Sequence, residues 1–136
     1  MKKYIFSLAL SLFLLCACAV KTEAQTVMTN PNGLSIDTIS NTTAEAAYLQ
    51  VKGYQSAVSI VTNVIKLTGT IGGTIAWQGS NDGISYYTIS SDTLTNASNV
   101  YGFSESPKRY LYYRSLLTGN NTGTASYHSV LYTTKP

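Results

Sequence analysis

The residues that could act in catalysis are few and widely separated along the chain. His128 is the single histidine, and Ser129 follows it directly. General acid–base catalysis usually requires a histidine or a pair of converging carboxyl groups. Adjacent residues of a β-strand point to opposite faces of a sheet, so His128 and Ser129 are poorly placed to act as base and nucleophile. The sequence therefore predicts a protein that is not an enzyme, with a hydrolase as the remote alternative.

Metal and cofactor sites have no better support. Cys16 and Cys18 are the two cysteines, and both lie in an apolar leader, so the chain has no Cys/His spacing of the zinc-binding kind. A calcium site needs about six to eight oxygen ligands, whereas Asp82 is nearly alone in its segment. We expect neither a metal nor a cofactor. Asp82 is predicted instead to close a turn by accepting backbone N–H groups, with Gly83 at positive φ.

Aromatic side chains are the residues best suited to binding. The chain has 11 tyrosines and one tryptophan, and such side chains offer contact area and a polar tip at a low entropy cost. They also favour strands intrinsically, so many of them are expected to pack in the core or at sheet edges. The candidate ligand-binding residues are Trp77, Tyr86, Tyr110, Tyr112 and Arg114. A sugar-binding surface would require Trp77, Tyr86 or Tyr112 to be exposed near polar side chains.

Two turn signals predict the strands that position these residues. The run Ser80-Asn81-Asp82-Gly83 separates two β-favouring segments, residues 74–78 and 86–89, and predicts a hairpin. The Gly/Asn-rich residues 119–123 predict a second hairpin, between residues 109–118 and 124–134.

The two-residue period of a strand predicts which side chains share a face. In residues 109–118, Tyr110, Tyr112, Arg114 and Leu116 share the more amphipathic face, and Leu111, Tyr113 and Leu117 share the other. In residues 57–67, Val58, Ile60 and Val64 lie opposite Val61, Ile65 and Leu67. Apolar residues on both faces predict a central strand that is covered on both sides.

The whole chain after residue 33 has the composition of β-structure. Threonine, valine, isoleucine and tyrosine alternate with Gly/Asn/Ser clusters, without an apolar stripe of helical period. Strands are predicted at residues 34–39, 46–52, 57–67, 74–78, 86–89, 100–104, 109–118 and 124–134. Residues 90–99 are predicted to be a polar connecting loop. About eight short strands indicate a single antiparallel β-sandwich of jelly-roll or Ig-like type.

The first 24 residues predict export. Lys2 and Lys3 precede an apolar run from Ile5 to Val20, which is too short for a comfortable membrane span and is typical of a signal helix. Cleavage after Ala24 would leave residues 25–33 as an exposed arm and residues 34–136 as the β-sandwich domain. We expect a secreted, periplasmic or outer-surface protein of a bacterium, which contacts a membrane only through the leader or a lipid anchor.

The charge balance excludes a nucleic-acid partner. After residue 24 there are six basic and five acidic residues, a net charge of +1, and no basic patch. No cysteine remains after the leader, so stability must come from packing rather than from a disulfide. The expected partners are a surface glycan or protein, with self-association as an alternative.

Several segments resemble known families. The leader resembles those of exported Bacteroidetes proteins, and Leu15-Cys16-Ala17-Cys18 resembles a lipobox, which makes Cys18 a candidate lipidation site. Trp77 to Tyr86 is similar to the Ser-Asn-Asp-Gly hairpin of small β-sandwich modules in bacteriophage virion and tail proteins. It resembles, less strongly, a hairpin of discoidin-type (F5/8 type C) carbohydrate-binding domains, although Tyr86 stands where that motif has tryptophan.

The resemblances imply two functions. One is a non-catalytic exported β-sandwich that binds or assembles at a cell or particle surface, with glycan recognition as its finer form. The alternative is a structural or decoration subunit of the virion or tail type. Asp37-Thr38-Ile39 and Asp92-Thr93-Leu94 resemble the Bacteroidetes O-glycosylation acceptor, so Thr38 and Thr93 are candidate modification sites.

Overall fold

The chain folds into two antiparallel β-sheets in a computed structural model that describes residues 23–40, 44–51, 55–120 and 122–135. The strands in these residues are β1 (Glu23–Val27), β2 (Ile36–Ser40), β3 (Ala44–Gln50), β4 (Ala57–Thr68), β5 (Gly73–Ser80), β6 (Tyr87–Thr93), β7 (Asn99–Glu105), β8 (Tyr112–Gly119) and β9 (Thr124–Thr134). The predicted all-β sandwich is confirmed. No helix long and apolar enough to cross a membrane occurs in the described ranges.

The strand order is that of a jelly roll. One sheet has the order β2-β9-β4-β7, with β1 on the same edge of β9 as β2, and the other has the order β3-β8-β5-β6. From β2 to β9, consecutive strands alternate between the two sheets, except that β5 and β6 form a hairpin. Of the two predicted sandwich types, the jelly roll is the one that forms.

The predicted second hairpin is wrong, because β8 and β9 belong to different sheets. Both strands bury one apolar face, with Tyr113 and Leu117 on β8 and Tyr127 and Leu131 on β9. Placing the strands in opposite sheets lets these faces meet across the core, which a hairpin within one sheet does not do. A Gly/Asn-rich turn suits either connection, so the turn residues could not distinguish them.

The predicted exposed arm at residues 25–33 is also wrong in part. Residues 25–27 belong to β1, which pairs with the end of β9, and Met28 is fully buried. Asn30 is 6% exposed, and its Oδ1 accepts the backbone N–H groups of Asn32 and Leu34 at 2.9 Å each. The sequence of β1, Glu-Ala-Gln-Thr-Val, has no run of apolar residues, so nothing in it predicted a strand. Residues 1–22, which make up most of the predicted leader, lie outside the described ranges, and its last two residues, Glu23 and Ala24, belong to β1.

The face assignment of β4 is confirmed on its inner side. Val58, Ile60 and Val64 are buried between the sheets. On the other side Ile65 is 55% exposed and Leu67 53% exposed. The strand is central, because it pairs with both β7 and β9, but nothing in the described residues covers its outer face.

The prediction of a polar loop at residues 90–99 is wrong for half of the segment, which belongs to strands. β6 continues to Thr93, Leu94 is buried in the core, and β7 begins at Asn99. Apart from the partly exposed Ser90, the Ser, Thr and Asn residues of this segment are exposed. Local polarity therefore indicated solvent exposure and not the absence of a strand.

A chain of buried hydroxyl groups joins the two sheets. Ser129 Oγ of β9 lies 2.9 Å from Thr62 Oγ1 of β4 and 2.7 Å from Ser115 Oγ of β8, and all three side chains are fully buried. His128 points to the opposite face and is partly exposed. His128 and Ser129 therefore do not form a base–nucleophile pair, as the strand period predicted.

Candidate functional site

Four polar side chains lie in register across the outward face of the β3-β8-β5-β6 sheet, one from each strand. They are Tyr48, Arg114, Gln78 and Thr88, and we call them the polar row. Gln78 Nε2 donates to Thr88 Oγ1 at 2.8 Å, and Arg114 Nε donates to Gln78 Oε1 at 2.5 Å. Arg114 Nη1 donates to Tyr48 Oη at 3.4 Å. The row is thus connected across the full width of the sheet.

The Tyr86 ring lies over the middle of this row. The Cζ atom of Arg114 is 4.1 Å from the centre of the Tyr86 ring and 5.7 Å from that of Tyr48. The two rings meet edge to face, with centroids 5.8 Å apart. Burial, partly offset by the charge of Arg114, raises the pKa of Tyr86 above its usual range. The phenol is therefore neutral at physiological pH and leaves the positive charge of Arg114 in place.

Tyr112 extends the polar row by one more aromatic side chain. It is two residues before Arg114 on β8, so it lies on the same face, and its Oη accepts a hydrogen bond from Gln50 Nε2 at 3.1 Å. A side chain at Gly83 would bring a Cβ within 3.3 Å of the Tyr112 ring, so the turn fits closely beside it. We call the polar row with Tyr86, Tyr112 and Gln50 the tyrosine–arginine face.

The turn before β6 holds Tyr86 in place. Asp82 Oδ1 accepts hydrogen bonds from Ser80 Oγ at 2.7 Å and from the backbone N–H groups of Ile84 and Ser85 at 2.8 Å each. These bonds, the one from Ser80 first, hold the pKa of Asp82 well below its usual range. Gly83 has φ +76°, a conformation that favours glycine. The predicted role of Asp82 and Gly83 in closing this turn is confirmed.

Trp77, the first predicted ligand-binding residue, does not reach the tyrosine–arginine face. It is 2% exposed, and its ring stacks on that of Phe103 across the core, with centroids 5.9 Å apart. On β5 the side chains of Trp77 and Gln78 point to opposite faces, so Gln78 lies outward where Trp77 was expected. Trp77 is a core residue, and its predicted exposure is corrected.

Tyr110 is also placed differently from the prediction. Strand β8 begins at Tyr112, so the two-residue alternation does not extend back to Tyr110. The Tyr110 ring instead fills the space that a side chain at Gly79 would need, and it meets Tyr113 edge to face. Leu111, predicted to share a face with Tyr113 and Leu117, is 47% exposed for the same reason, whereas those two residues are buried.

Beside Tyr110, a cavity of 370 Å³ is lined by Asn81, Asp82, Ser85, Tyr87 and Tyr110. It includes Tyr87 but not Tyr86 or Arg114, so it is separate from the tyrosine–arginine face. Of the predicted ligand-binding residues, Tyr86, Tyr112 and Arg114 are brought together on that face, whereas Tyr110 lines this cavity and Trp77 is in the core.

Tyr48, Gln50, Gln78 and Thr88 were not predicted as site residues. A signal for the first two was present, since Tyr48 and Gln50 alternate with the inward-facing Ala47 and Leu49 on β3. What the alternation could not reveal is that β3 lies next to β8, which places Tyr48 opposite Arg114.

The candidate modification sites are placed as follows. Thr38 and Thr93 are both exposed, and each backbone N–H is bonded at 2.7 Å to the preceding aspartate, Asp37 or Asp92. O-glycosylation of Thr38 and Thr93 stays a prediction. Cys18 lies outside the described residues, and its lipidation stays a prediction.

The outward face of the other sheet carries apolar side chains. Ile36, Ile65 and Val100 are 61%, 55% and 60% exposed, and with His128 they line a cavity of 580 Å³. We call these four residues the apolar patch. In the part of the chain that the structure describes, no three His, Cys, Asp or Glu side chains are grouped so that they could bind a metal ion.

Comparisons with known proteins identify similarity in structure but not in sequence. No protein-family model matches the chain, and no curated protein matches it either. The PBSX exported protein XepA superposes on 82% of this chain with a TM-score of 0.56 at 12% identity, and the chain spans 37% of the length of XepA.

Two further structures match over most of both chains. The Yersinia pseudotuberculosis-derived mitogen has a TM-score of 0.50 at 11% identity, covering 86% of this chain and 88% of its own. The family 29 carbohydrate binding module CBM29_1 from Piromyces equi has a TM-score of 0.50 at 14% identity, covering 83% and 91%. At these identities the similarity is one of fold, and the chain shares its β-sandwich with exported, mitogenic and carbohydrate-binding proteins.

Proposed function

We propose that this protein is an exported, non-catalytic glycan-binding module and that the tyrosine–arginine face is its binding surface. The observation that carries the proposal is the polar row, in which Tyr48, Arg114, Gln78 and Thr88 are hydrogen-bonded across four strands beneath the Tyr86 ring. These side chains are not needed to fill the core, because they point away from it.

The chemistry of the face suits a sugar. A pyranose ring has apolar C–H faces that stack on aromatic rings, and equatorial hydroxyl groups that hydrogen-bond to planar polar side chains. Tyr86 and Tyr112 supply the rings, Gln50 supplies an amide group and Arg114 supplies a guanidinium group, whereas the buried Gln78 holds Arg114 in place. The hydrogen bonds within the row fix these groups before a ligand arrives, which lowers the entropy cost of binding.

The fold and the leader agree with this proposal. The Piromyces equi structure is named a carbohydrate binding module, so a β-sandwich of this kind can serve that function, although a fold alone does not imply one. The sequence of residues 1–24 favours export to the periplasm, the outer surface or the medium, where extracellular glycans are available.

The test is a glycan array probed with the purified protein and with two variants of neighbouring tyrosines. Tyr86→Ala removes the ring above Arg114, whereas Tyr87→Ala removes a ring that is 65% exposed and lines the separate cavity. We expect saturable binding that Tyr86→Ala abolishes and Tyr87→Ala retains, with both variants showing native circular dichroism. If Tyr87→Ala loses glycan binding and Tyr86→Ala keeps it, the ligand binds in that cavity and not on the tyrosine–arginine face. An unmodified protein that binds no glycan would overturn the proposal.

A second candidate function, a virion- or tail-type structural subunit, is favoured by the apolar patch. Exposed apolar side chains on a sheet face are a common basis of association between proteins. The patch has no aspartate, glutamate, lysine or arginine in its lining, so a second copy would meet no like charge there. Light scattering tests this candidate: a discrete oligomer that Ile65→Glu converts to monomers would support it, and a monomer at all concentrations would count against it.

A further inference from the structure

Arg114 is a cation that the described part of the protein does not neutralise. An ion pair in these residues joins Arg109 to Glu105 and does not involve Arg114. Arg114 donates to two neutral oxygens, Gln78 Oε1 and Tyr48 Oη, and the second of these contacts is long at 3.4 Å. Nη2 and the second hydrogen of Nη1 have no acceptor among the described residues. Nη2 is not among the buried unpaired atoms of the described residues, so it is open to solvent and to a ligand.

The position of Arg114 favours an oxyanion as the partner for these donors. A guanidinium offers paired N–H groups that match a carboxylate or a sulfate, and such charge-assisted hydrogen bonds are stronger than neutral ones. The Tyr86 ring over the guanidinium and the bond from Nε to Gln78 hold the side chain in one orientation. Less rotamer freedom is therefore lost when an anion binds.

We propose that the ligand of the tyrosine–arginine face is an acidic glycan, a sugar chain with a carboxylate or sulfate group that binds Nη1 and Nη2 of Arg114. This inference rests on the proposed glycan-binding function and adds the charge of the ligand. Tyr86 is compatible with it, because its partly buried phenol has a raised pKa, stays protonated and brings no negative charge.

Asp82 is the acid whose charge reaches Tyr86. Its Oδ1 is already occupied by Ser80 Oγ and by the amides of Ile84 and Ser85. The carboxylate is exposed, so water and salt screen it. Asp82 therefore neither pairs with Arg114 nor prevents an anion from binding there.

The experiment is a glycan array that presents uronate-containing, sialylated and sulfated chains, each beside a neutral chain of the same backbone. We expect the unmodified protein to bind acidic chains at least about tenfold more tightly than their neutral counterparts, as one charged hydrogen-bonded group would give. Added salt should weaken the acidic interaction only. Preference for carboxylates over sulfates, or the reverse, identifies which anion is bound.

Two substitutions of one residue sharpen the test. Arg114→Gln should remove the preference for acidic chains, and Arg114→Lys, which keeps the charge but not the paired donors, should retain only part of it. Equal binding of neutral and acidic chains by the unmodified protein would overturn this inference and leave the glycan-binding function standing. Binding of no chain at all would overturn the function itself. The comparison of acidic with neutral chains needs no variant, so it holds even if Arg114→Gln fails to fold.

Discussion

The guanidinium carbon of Arg114 lies 4.1 Å from the centre of the Tyr86 ring, although the two residues are separated by 28 positions in the chain. Arg114 comes from β8 and Tyr86 from the turn before β6, with β5 between these strands in the sheet. Cation–π contacts of this kind contribute about 0.5–2 kcal/mol, depending on their exposure. The contact couples the turn that Asp82 closes to the polar row, so a change in either is expected to affect ligand binding.

Gln78→Glu should reduce the binding of acidic glycans. The new carboxylate would lie beside Arg114 Nε, where Gln78 Oε1 now accepts a hydrogen bond, and would neutralise the charge available to the ligand. We expect at least about a tenfold loss in affinity for acidic chains, about 1.4 kcal/mol, measured by calorimetry. The control is Gln50→Glu, at an exposed position bonded to Tyr112. Equal losses of affinity in both variants would mean that any negative charge added to this face weakens the binding of acidic chains, wherever it lies relative to Arg114.

Trp77→Ala should destabilise the fold strongly. The side chain is 2% exposed and stacked on Phe103, so its removal leaves a large cavity between the sheets. We expect a loss of about 3–5 kcal/mol in the free energy of unfolding, measured by urea denaturation with circular dichroism. Tyr87→Ala should change this free energy by about 0.5 kcal/mol or less. A Trp77→Ala protein that is as stable as the unmodified one but no longer binds glycans would contradict this assignment and show that Trp77 contacts the ligand.

Ser129→Ala should also destabilise the protein, although it removes only one oxygen atom. Thr62 Oγ1 and Ser115 Oγ would each lose their contact with the Ser129 hydroxyl in a fully buried position. Leaving buried polar groups unpaired costs about 1–3 kcal/mol, which thermal and urea unfolding can both detect. Ser126→Ala, on the partly exposed outward face of the same strand, serves as the matched control and should be nearly neutral. Similar free energies of unfolding for the two variants would show that the buried hydroxyl groups contribute little to stability.

Stability should fall at alkaline pH, partly because of Tyr127. Burial raises the pKa of Tyr127 above its ordinary value of 10.0, and the Tyr127 Oη has no hydrogen-bond partner in the described residues. The folded protein therefore holds this proton more tightly than the unfolded chain does. The contribution is fully present below pH 10 and is lost as the pH rises from there towards the higher pKa of the folded state.

Tyr127→Phe checks this expectation. The variant should show a shallower loss of the free energy of unfolding above pH 10 and nearly unchanged stability at neutral pH. Urea denaturation at a series of pH values measures both. Tyr87→Phe, at a 65% exposed position, should follow the unmodified protein. Parallel alkaline curves for Tyr127→Phe and the unmodified protein would show that another group causes the loss.

The candidate site could be predicted in part. Tyr86 and Tyr112 could be predicted because aromatic side chains suit a binding surface, and Arg114 because the two-residue period of the strand places it on the face of Tyr112. Trp77 was assigned to the wrong side because an aromatic residue suits a binding surface and a core equally well. Tyr48 was missed because its role depends on the pairing of β3 with β8, between residues that are 66 positions apart.

The sequence by itself determined most of the strand segments after residue 33, the alternation of side chains along β4 and β8, and the turn that Asp82 and Gly83 close. These features follow from backbone sterics and from the two-residue period, which act over a few neighbouring residues. Only the tertiary structure decided that β8 and β9 lie in opposite sheets, that the outer face of β4 is open, and that Arg114 lies beneath Tyr86. Strand pairing and sheet stacking are set by burial across the whole core, because each apolar face must find another that is distant in sequence.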